Sequence, residues 1–192
     1  MKKLLAIAAL LASSSAFAQT VLIETSMGDM KAKLIPEKSP KTVANFLSYV
    51  DSGFYNGVVF HRVIPNFMIQ TGGMTPDMKE KPTNAPIVNE SNNYVRNERG
   101  TLAMARTSAP NSATAQFFIN LKHNRSLDYM FGRPGYAVFG YLTEGLEVMD
   151  KISVVQTSTV GIHGDVPVKP IMIKSIRRIE EEASESEETT KE

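Results

Sequence analysis

One permanently charged side chain, Arg62, lies within a stretch that has no other Lys, Arg, Asp or Glu. Residues 60–73 read FHRVIPNFMIQTGG and are largely apolar. A guanidinium keeps its charge at physiological pH, so placing it among apolar side chains is costly unless it has a partner or a function. Arg62 is therefore the first candidate for chemistry, as a donor of charge-assisted hydrogen bonds.

The same stretch predicts which groups lie beside that guanidinium. If it forms two short strands bent at Pro65-Asn66, Arg62 and Gln70 project to one face, because alternate residues of a strand share a face. The apolar residues beside them are Phe67 and Met68. Polar donors next to an apolar floor suit a peptide-binding site. An alternative stays open from this stretch alone: Arg62 pairs with a surface carboxylate, and His61 is a satisfied core residue.

The N-terminus has the pattern of a secretory signal. A basic start is followed by the apolar residues 4–12 and by the small-residue sequence Ala16-Phe17-Ala18, which predicts cleavage after Ala18. The apolar run is too short to cross a bilayer as a helix, and no later segment approaches eighteen apolar residues. We therefore expect no membrane attachment once residues 1–18 have been removed.

The remaining chain is expected to form one domain, residues 19–179, followed by an acidic tail, residues 180–192. The tail contains seven Glu and one Lys, a composition typical of a solvated, disordered segment. The basic residues of the domain are scattered and not striped, which argues against nucleic-acid binding. The absence of cysteine excludes a disulfide framework, thiolate chemistry and Cys-ligated zinc.

The elements that must position Arg62 are predicted to be mainly strands. Residues 21–25 and 30–35 alternate as a hairpin, and further strands are predicted at residues 101–105, 116–120, 137–142 and 168–179. Helices are predicted from Pro40 to Gly53, with Ser39 as the cap, and at residues 144–155. A long loop covers residues 74–93. Many short strands with two helices indicate a mainly β fold, a closed antiparallel barrel.

Two other kinds of site find little support. His61, His123 and His163 are far apart and lack matching carboxylate spacing, which argues against a metal site. No Gly-x-Ser-x-Gly elbow accompanies the Ser, His and Asp residues, which argues against a hydrolase.

In the predicted strand at residues 116–120, Phe117 and Phe118 must face opposite ways, so one of them is expected outside the core.

Three motifs in the same order, FHRVIPNFMIQTGG, GTLAMARTSAPNSATAQFFINL and YAVFGYL, carry a family resemblance. Over residues 20–178 the chain resembles the cyclophilin family of peptidyl-prolyl cis-trans isomerases. The resemblance implies an eight-stranded antiparallel barrel capped by two α-helices, with a filled interior and the site on the outer wall. The variant ARTSAPNSATAQFF is similar to the exported bacterial branch, which implies a periplasmic location, folding assistance to exported proteins and no cofactor.

The resemblance also implies roles for individual residues. Arg62 corresponds to the catalytic group and Gln70 to its polar neighbour. Ala105 and Arg106 correspond to the strand edge whose backbone holds the peptide. The pocket for the proline ring would be formed by Phe67, Met68, Phe118 and Leu127, with Gln116 nearby and Tyr136 where relatives have His or Tyr. The partners implied are proline-containing segments of exported proteins. A monomer is the default expectation for the oligomeric state.

One position departs from many members of the family. Where they have a Trp before the pocket Leu, this chain has Ser126, and it contains no Trp at all. Ser126 cannot donate as an indole N–H does, nor cover a comparable apolar area. We therefore predict weak cyclosporin binding with retained turnover of proline peptides. A chaperone or scaffold that binds such peptides without needing turnover remains the alternative function.

Overall fold

The computed structural model describes residues 19–180. The predicted signal, residues 1–18, and all of the predicted tail except Glu180 lie outside the described residues. The strands are β1 (Thr20–Thr25), β2 (Gly28–Leu34), β3 (Arg62–Ile64), β4 (Met68–Thr71), β5 (Thr101–Met104), β6 (Phe117–Asn120), β7 (Val138–Glu144), β8 (Thr157–Val160), β9 (His163–Pro167) and β10 (Ile173–Ile179). The helices are α1 (Pro40–Asp51) and α2 (Leu146–Ser153), and within the described residues neither is long and apolar enough to span a membrane.

Eight of the strands form one antiparallel sheet in the order β10-β1-β2-β7-β5-β6-β4-β3, and β8 pairs with β9 in a separate hairpin. The predicted closed barrel is wrong, because the sheet is curled but open, with β10 and β3 as its edges. The segments before these two strands meet at an isolated bridge between Val59 and Met172 and at a hydrogen bond from the N–H of Gly57 to the carbonyl of Ile173 at 2.9 Å. β9 packs against β3.

The core lies inside the curl of the sheet and is closed by the helices. Phe46 of α1 has its ring centroid 5.4 Å from that of Phe117 and 5.0 Å from that of Phe139. Phe117 is fully buried in this core, whereas Phe118 belongs to a separate cluster. The opposite orientation predicted for these two neighbours is therefore confirmed.

The start of α1 differs from the prediction. Pro40 is the first helical residue, as expected, but the side chain of Ser39 makes no capping hydrogen bond. It donates instead to the carbonyl of Val138 at 2.7 Å. Glu90, from the long loop, accepts from the backbone N–H groups of Lys41 at 3.1 Å and Thr42 at 2.8 Å. A carboxylate near a helix N-terminus also interacts favourably with the helix dipole, so this distant residue replaces the local cap.

The β8–β9 hairpin was not predicted, although Thr157–Val160 is rich in β-branched residues and Gly161 follows it with φ of +59°. The last strand is correspondingly shorter than expected, because it begins at Ile173 and not at residue 168. The hairpin affects the site, since β9 lies beside the strand that carries Arg62.

Candidate active site

Arg62 begins β3, at one edge of the sheet. β3 pairs with β4 so that Arg62 is opposite Gln70 and Ile64 is opposite Met68. The turn between the strands passes through Asn66, whose φ of 58° lies in the left-handed region that asparagine tolerates better than most residues. The side chain of Arg62 is 44% exposed, so the guanidinium lies on the outer wall of the sheet.

A carboxylate from the unpredicted hairpin lies near this guanidinium. Nε of Arg62 is 3.9 Å from Oδ2 of Asp165, and both side chains are about half exposed. Pairs of this kind contribute only ~0.2–1 kcal/mol because water screens them. The surface ion pair that was the alternative interpretation of Arg62 is thus present, as a weak contact with Asp165. It leaves Arg62 able to exchange this contact for one with a bound peptide.

Beside Arg62 lies a cluster of apolar side chains on the outer face of the sheet, which we call the outer cluster. Its buried members are Met68, Ala103, Phe118 and Val138, and the side chains packed on them include Phe67, Ala105, Leu127 and Tyr136. These residues come from four strands and from the three segments that follow β3, β5 and β6, and alternation along each strand turns the strand residues away from the core. The four residues predicted to form the proline pocket are therefore brought together, with Tyr136 edge-on to Phe118 at 5.6 Å between ring centroids.

The two glutamines predicted for the site contact each other. Nε2 of Gln70 donates to Oε1 of Gln116 at 2.9 Å. Gln116 lies close above Gly73, where an added Cβ would be 2.5 Å from its Cγ. The absence of a side chain at that glycine therefore leaves space for the pair of amides. Gln70, opposite Arg62 in the ladder, is oriented by Gln116.

Ala105 and Arg106, which the family resemblance assigned to the edge of a strand, lie just beyond the end of β5. The N–H of Ala105 donates to the carbonyl of Gln116 at 3.0 Å, so this donor is used within the protein. The guanidinium of Arg106 donates to the carbonyls of Gly135 at 3.2 Å and Pro134 at 2.9 Å.

Arg106 also stacks over a residue of the outer cluster. Its Cζ is 4.6 Å from the ring centroid of Tyr136, a cation–π geometry. Its third hydrogen bond, to the carbonyl of Thr107 at 2.9 Å, is local. The side chain therefore connects the end of β5 to the segment that ends at Tyr136. Sequence reasoning had assigned Arg106 only a backbone role.

Leu127 is held by asparagine side chains that the sequence analysis did not single out. Nδ2 of Asn124 donates to the carbonyl of Phe67 at 2.7 Å, and the carbonyl of Asn124 accepts from the N–H of Leu127 at 2.8 Å. Nδ2 of the buried Asn97 donates to the carbonyl of Leu127 at 3.1 Å. Phe67 and Leu127, which are distant in sequence, are thus fixed to each other through Asn124.

Asp128 belongs to the same support. Burial acts to raise its pKa, but hydrogen bonds from the backbone and side chain of Asn97 and from His123 outweigh this, so the pKa of Asp128 lies below its ordinary value. The carboxylate is therefore ionised at neutral pH. It stabilises the loop by accepting a hydrogen bond from the N–H of Asn97 at 2.7 Å.

His61 is buried next to Arg62, and its Nδ1 has no hydrogen-bond partner within the described residues. Burial lowers the pKa of His61 from 6.5 to about 4. The imidazole is therefore neutral near pH 7 and adds no second charge beside the guanidinium. Among residues 19–180, no group of three or more His, Cys, Asp or Glu side chains is placed to hold a metal ion.

Residues 20–178 match the family described as cyclophilin type peptidyl-prolyl cis-trans isomerase/CLD. The chain belongs to this family. It is 54% identical over 174 residues to peptidyl-prolyl cis-trans isomerase A of Dickeya dadantii, a match that covers 88% of this chain and 92% of the relative. It is 51% identical over 160 residues to isomerase B of Escherichia coli, covering 81% and 97%.

Solved structures agree with this assignment. A cyclophilin type isomerase of Cryptosporidium parvum is 28% identical and superimposes with a TM-score of 0.69, covering 86% of this chain and all of that one. A structure of that isomerase in the presence of the dipeptide Ala-Pro has a TM-score of 0.67 at 29% identity. The chain has the cyclophilin fold and is a peptidyl-prolyl cis-trans isomerase, an enzyme that accelerates rotation about the peptide bond before proline.

Proposed function

We propose that Arg62 is the group that accelerates this rotation, acting on proline-containing segments of exported proteins bound over the outer cluster. The barrier to rotation, roughly 18–20 kcal/mol, comes from delocalisation of the amide nitrogen lone pair into the carbonyl. A hydrogen bond to that nitrogen becomes available only after the bond has twisted. Such a bond is stronger in the transition state than in the ground state, which is what catalysis requires.

The observation that carries this proposal is the half-exposed guanidinium on β3 beside the apolar pocket residues. A charge-assisted hydrogen bond contributes about 1.5–3 kcal/mol, which corresponds to about ten- to a few-hundredfold in rate. Further acceleration would come from the apolar wall. The twisted amide has lost charge separation, so Phe67, Met68 and Phe118 should favour it over the planar form.

In this proposal the Gln70–Gln116 pair orients the bound peptide. Both amides are neutral, and their mutual hydrogen bond leaves further donors and acceptors for the peptide backbone. The role of Ala105 is narrower than expected, because its N–H is already bonded to Gln116 and only its carbonyl is left for the substrate. Leu127 and Tyr136 close the far side of the proline pocket.

A variant with Arg62→Ala tests the assignment against the alternative of a chaperone or scaffold that only binds. Rate would be followed on a short X–Pro peptide, and affinity by titration of the same peptide. We expect the rate to fall by at least about tenfold while affinity changes little, because the proposed bond forms in the twisted state. An unchanged rate would reject Arg62 as the catalytic group.

We further propose a periplasmic monomer, produced by removal of residues 1–18. This rests on the basic, apolar and small-residue order of the N-terminus and on the resemblance of ARTSAPNSATAQFF to the exported branch. Mass spectrometry of the protein from a periplasmic extract should give a chain beginning at Gln19. A cytoplasmic protein that retains Met1–Ala18 would contradict the proposal, and sedimentation would test the monomer.

A further inference from the structure

An exposed apolar surface adjoins the proline pocket. Residues 128–135, which we call the pocket loop, have Phe131 at the tip with 99% of the residue exposed and Met130 beside it at 55%. Tyr94, 75% exposed, has its ring 5.4 Å from that of Tyr129 in the same loop. Single exposed apolar residues are ordinary on protein surfaces, but a contiguous group beside a binding site indicates an interaction surface.

The pocket loop is attached to the pocket at both of its ends. Leu127 and Tyr136, which flank it, belong to the outer cluster and are joined by a hydrogen bond from the N–H of Tyr136 to the carbonyl of Leu127 at 2.9 Å. Met130 and Arg133 form a bridge with N–O distances of 3.1 and 2.7 Å, so the tip is a small hairpin. Phe131 is thus presented on a structured element that begins at the pocket wall.

The charges around this surface are positive. Arg125 and Arg133 are exposed, and Nη2 of Arg133 lies 3.0 Å from Sδ of Met130. The one carboxylate in the loop, Asp128, is engaged by Asn97 and His123. An exposed surface of apolar side chains and guanidinium groups is complementary to a polypeptide with apolar and acidic side chains.

We propose that the pocket loop is a second docking surface for the client polypeptide, binding apolar and acidic side chains that lie within about four residues of the proline. The range is an upper bound from chain geometry. Phe131 is four residues from Leu127, and four residues of chain span at most as far as four extended residues of the client, at ~3.3 Å each. This inference rests on the proposed pocket and adds a preference for the residues around proline.

The double variant Met130→Ser, Phe131→Ser tests the apolar part. It would be compared with the unaltered protein on a four-residue X–Pro peptide, and on a ten-residue peptide with Leu, Phe and Asp within four positions of the proline. We expect KM for the long peptide to rise about tenfold, since two apolar contacts are lost. The value of kcat/KM for the short peptide should stay within about twofold. Val154→Ser, at a residue 76% exposed beyond α2, is the matched control and should change neither.

The double variant Arg125→Gln, Arg133→Gln tests the charge. The unaltered protein should bind the Asp-containing long peptide more tightly than its Asn counterpart at low salt, and the variant should lose this difference. An unchanged KM for the long peptide in the serine variant would overturn the proposal. So would an equal loss on short and long peptides, which would make the loop merely part of the pocket wall.

Two further outcomes distinguish failure of the docking proposal from failure of the catalytic assignment of Arg62. If the unaltered protein binds vesicles containing anionic phospholipid, and the serine variant loses that binding without any change on the long peptide, the surface is a lipid contact and the proposal is wrong. If the Arg62→Ala variant isomerises the short peptide as fast as the unaltered protein, the catalytic assignment fails instead. In that case a raised KM of the serine variant for the long peptide would still support the loop as a docking surface.

Discussion

Replacing Arg106 with alanine should weaken peptide binding without slowing the rotation step. Its guanidinium holds the carbonyls of Pro134 and Gly135 and stacks on Tyr136. Hydrogen bonds to charged groups contribute ~1.5–3 kcal/mol when buried, but Arg106 is only partly buried, so about 1 kcal/mol for each bond is a reasonable value. Without these contacts Tyr136 loses the group that fixes its ring against Phe118.

The consequence for binding follows from that ring contact. An edge-to-face aromatic pair contributes ~0.5–1.5 kcal/mol beyond its buried area. If this part of the pocket wall becomes mobile, affinity for a proline peptide should fall by about two- to twelvefold. KM should rise by the same factor, while kcat stays nearly constant, because in this account Arg106 does not touch the reacting amide through its side chain.

The assay is steady-state isomerisation of a short X–Pro peptide, with affinity measured separately by calorimetric titration. Arg177→Ala is a matched control, since that arginine is an exposed residue of β10 with a weak ion pair to Glu24 at 3.7 Å. Arg106→Lys should lie between the alanine variant and the unaltered protein, because one ammonium group lacks the planar fork and stacks less well. A fall in kcat at constant KM, or no effect at all, would refute the reasoning.

Three further outcomes are expected. The free energy of unfolding in urea should fall by about 2 kcal/mol from His61 alone as the pH drops from 7 to 5. The pKa of His61 is about 4 in the folded protein against an ordinary value of 6.5, so the unfolded chain takes up the proton first. His61→Asn should flatten this dependence. Activity on a short peptide should be nearly constant from pH 6 to 9, and a bell-shaped profile centred near neutrality would count against Arg62. Ser126→Trp should strengthen the weak cyclosporin binding expected of this chain by at least about tenfold, because an added indole supplies a hydrogen-bond donor and apolar area. Tight cyclosporin binding by the unaltered protein in a direct titration would contradict the expectation of weak binding.

Features set by neighbours in the sequence were predictable. The alternation of FFIN sends Phe117 into the core and Phe118 to the outer cluster, and the bend at Pro65-Asn66 places Arg62 opposite Gln70. Both follow from the twofold period of a strand and from turn chemistry. The remaining pocket residues came from the family resemblance, because nothing local brings Leu127 next to Phe67.

Features that depend on distant contacts were not predictable in the same way. Glu90 caps α1 from a position 48 residues beyond Thr42, and no local pattern marks it as a cap. Asp165 reaches Arg62 through a hairpin whose strands are short and mostly exposed, so they lack the apolar alternation that identifies a strand. The sheet is open although it has the predicted eight strands, and β9 packs against its edge strand β3. The number of strands reveals neither feature.

The most direct test of the central claim is the cis/trans exchange rate of an Ala-Pro peptide on the enzyme, measured by NMR exchange spectroscopy with Arg62→Lys. The substitution keeps the positive charge but replaces the planar fork with a single ammonium group. If a guanidinium hydrogen bond to the twisted nitrogen accelerates rotation, exchange should slow by about tenfold or more while peptide affinity is retained. Exchange as fast as in the unaltered protein would contradict the account.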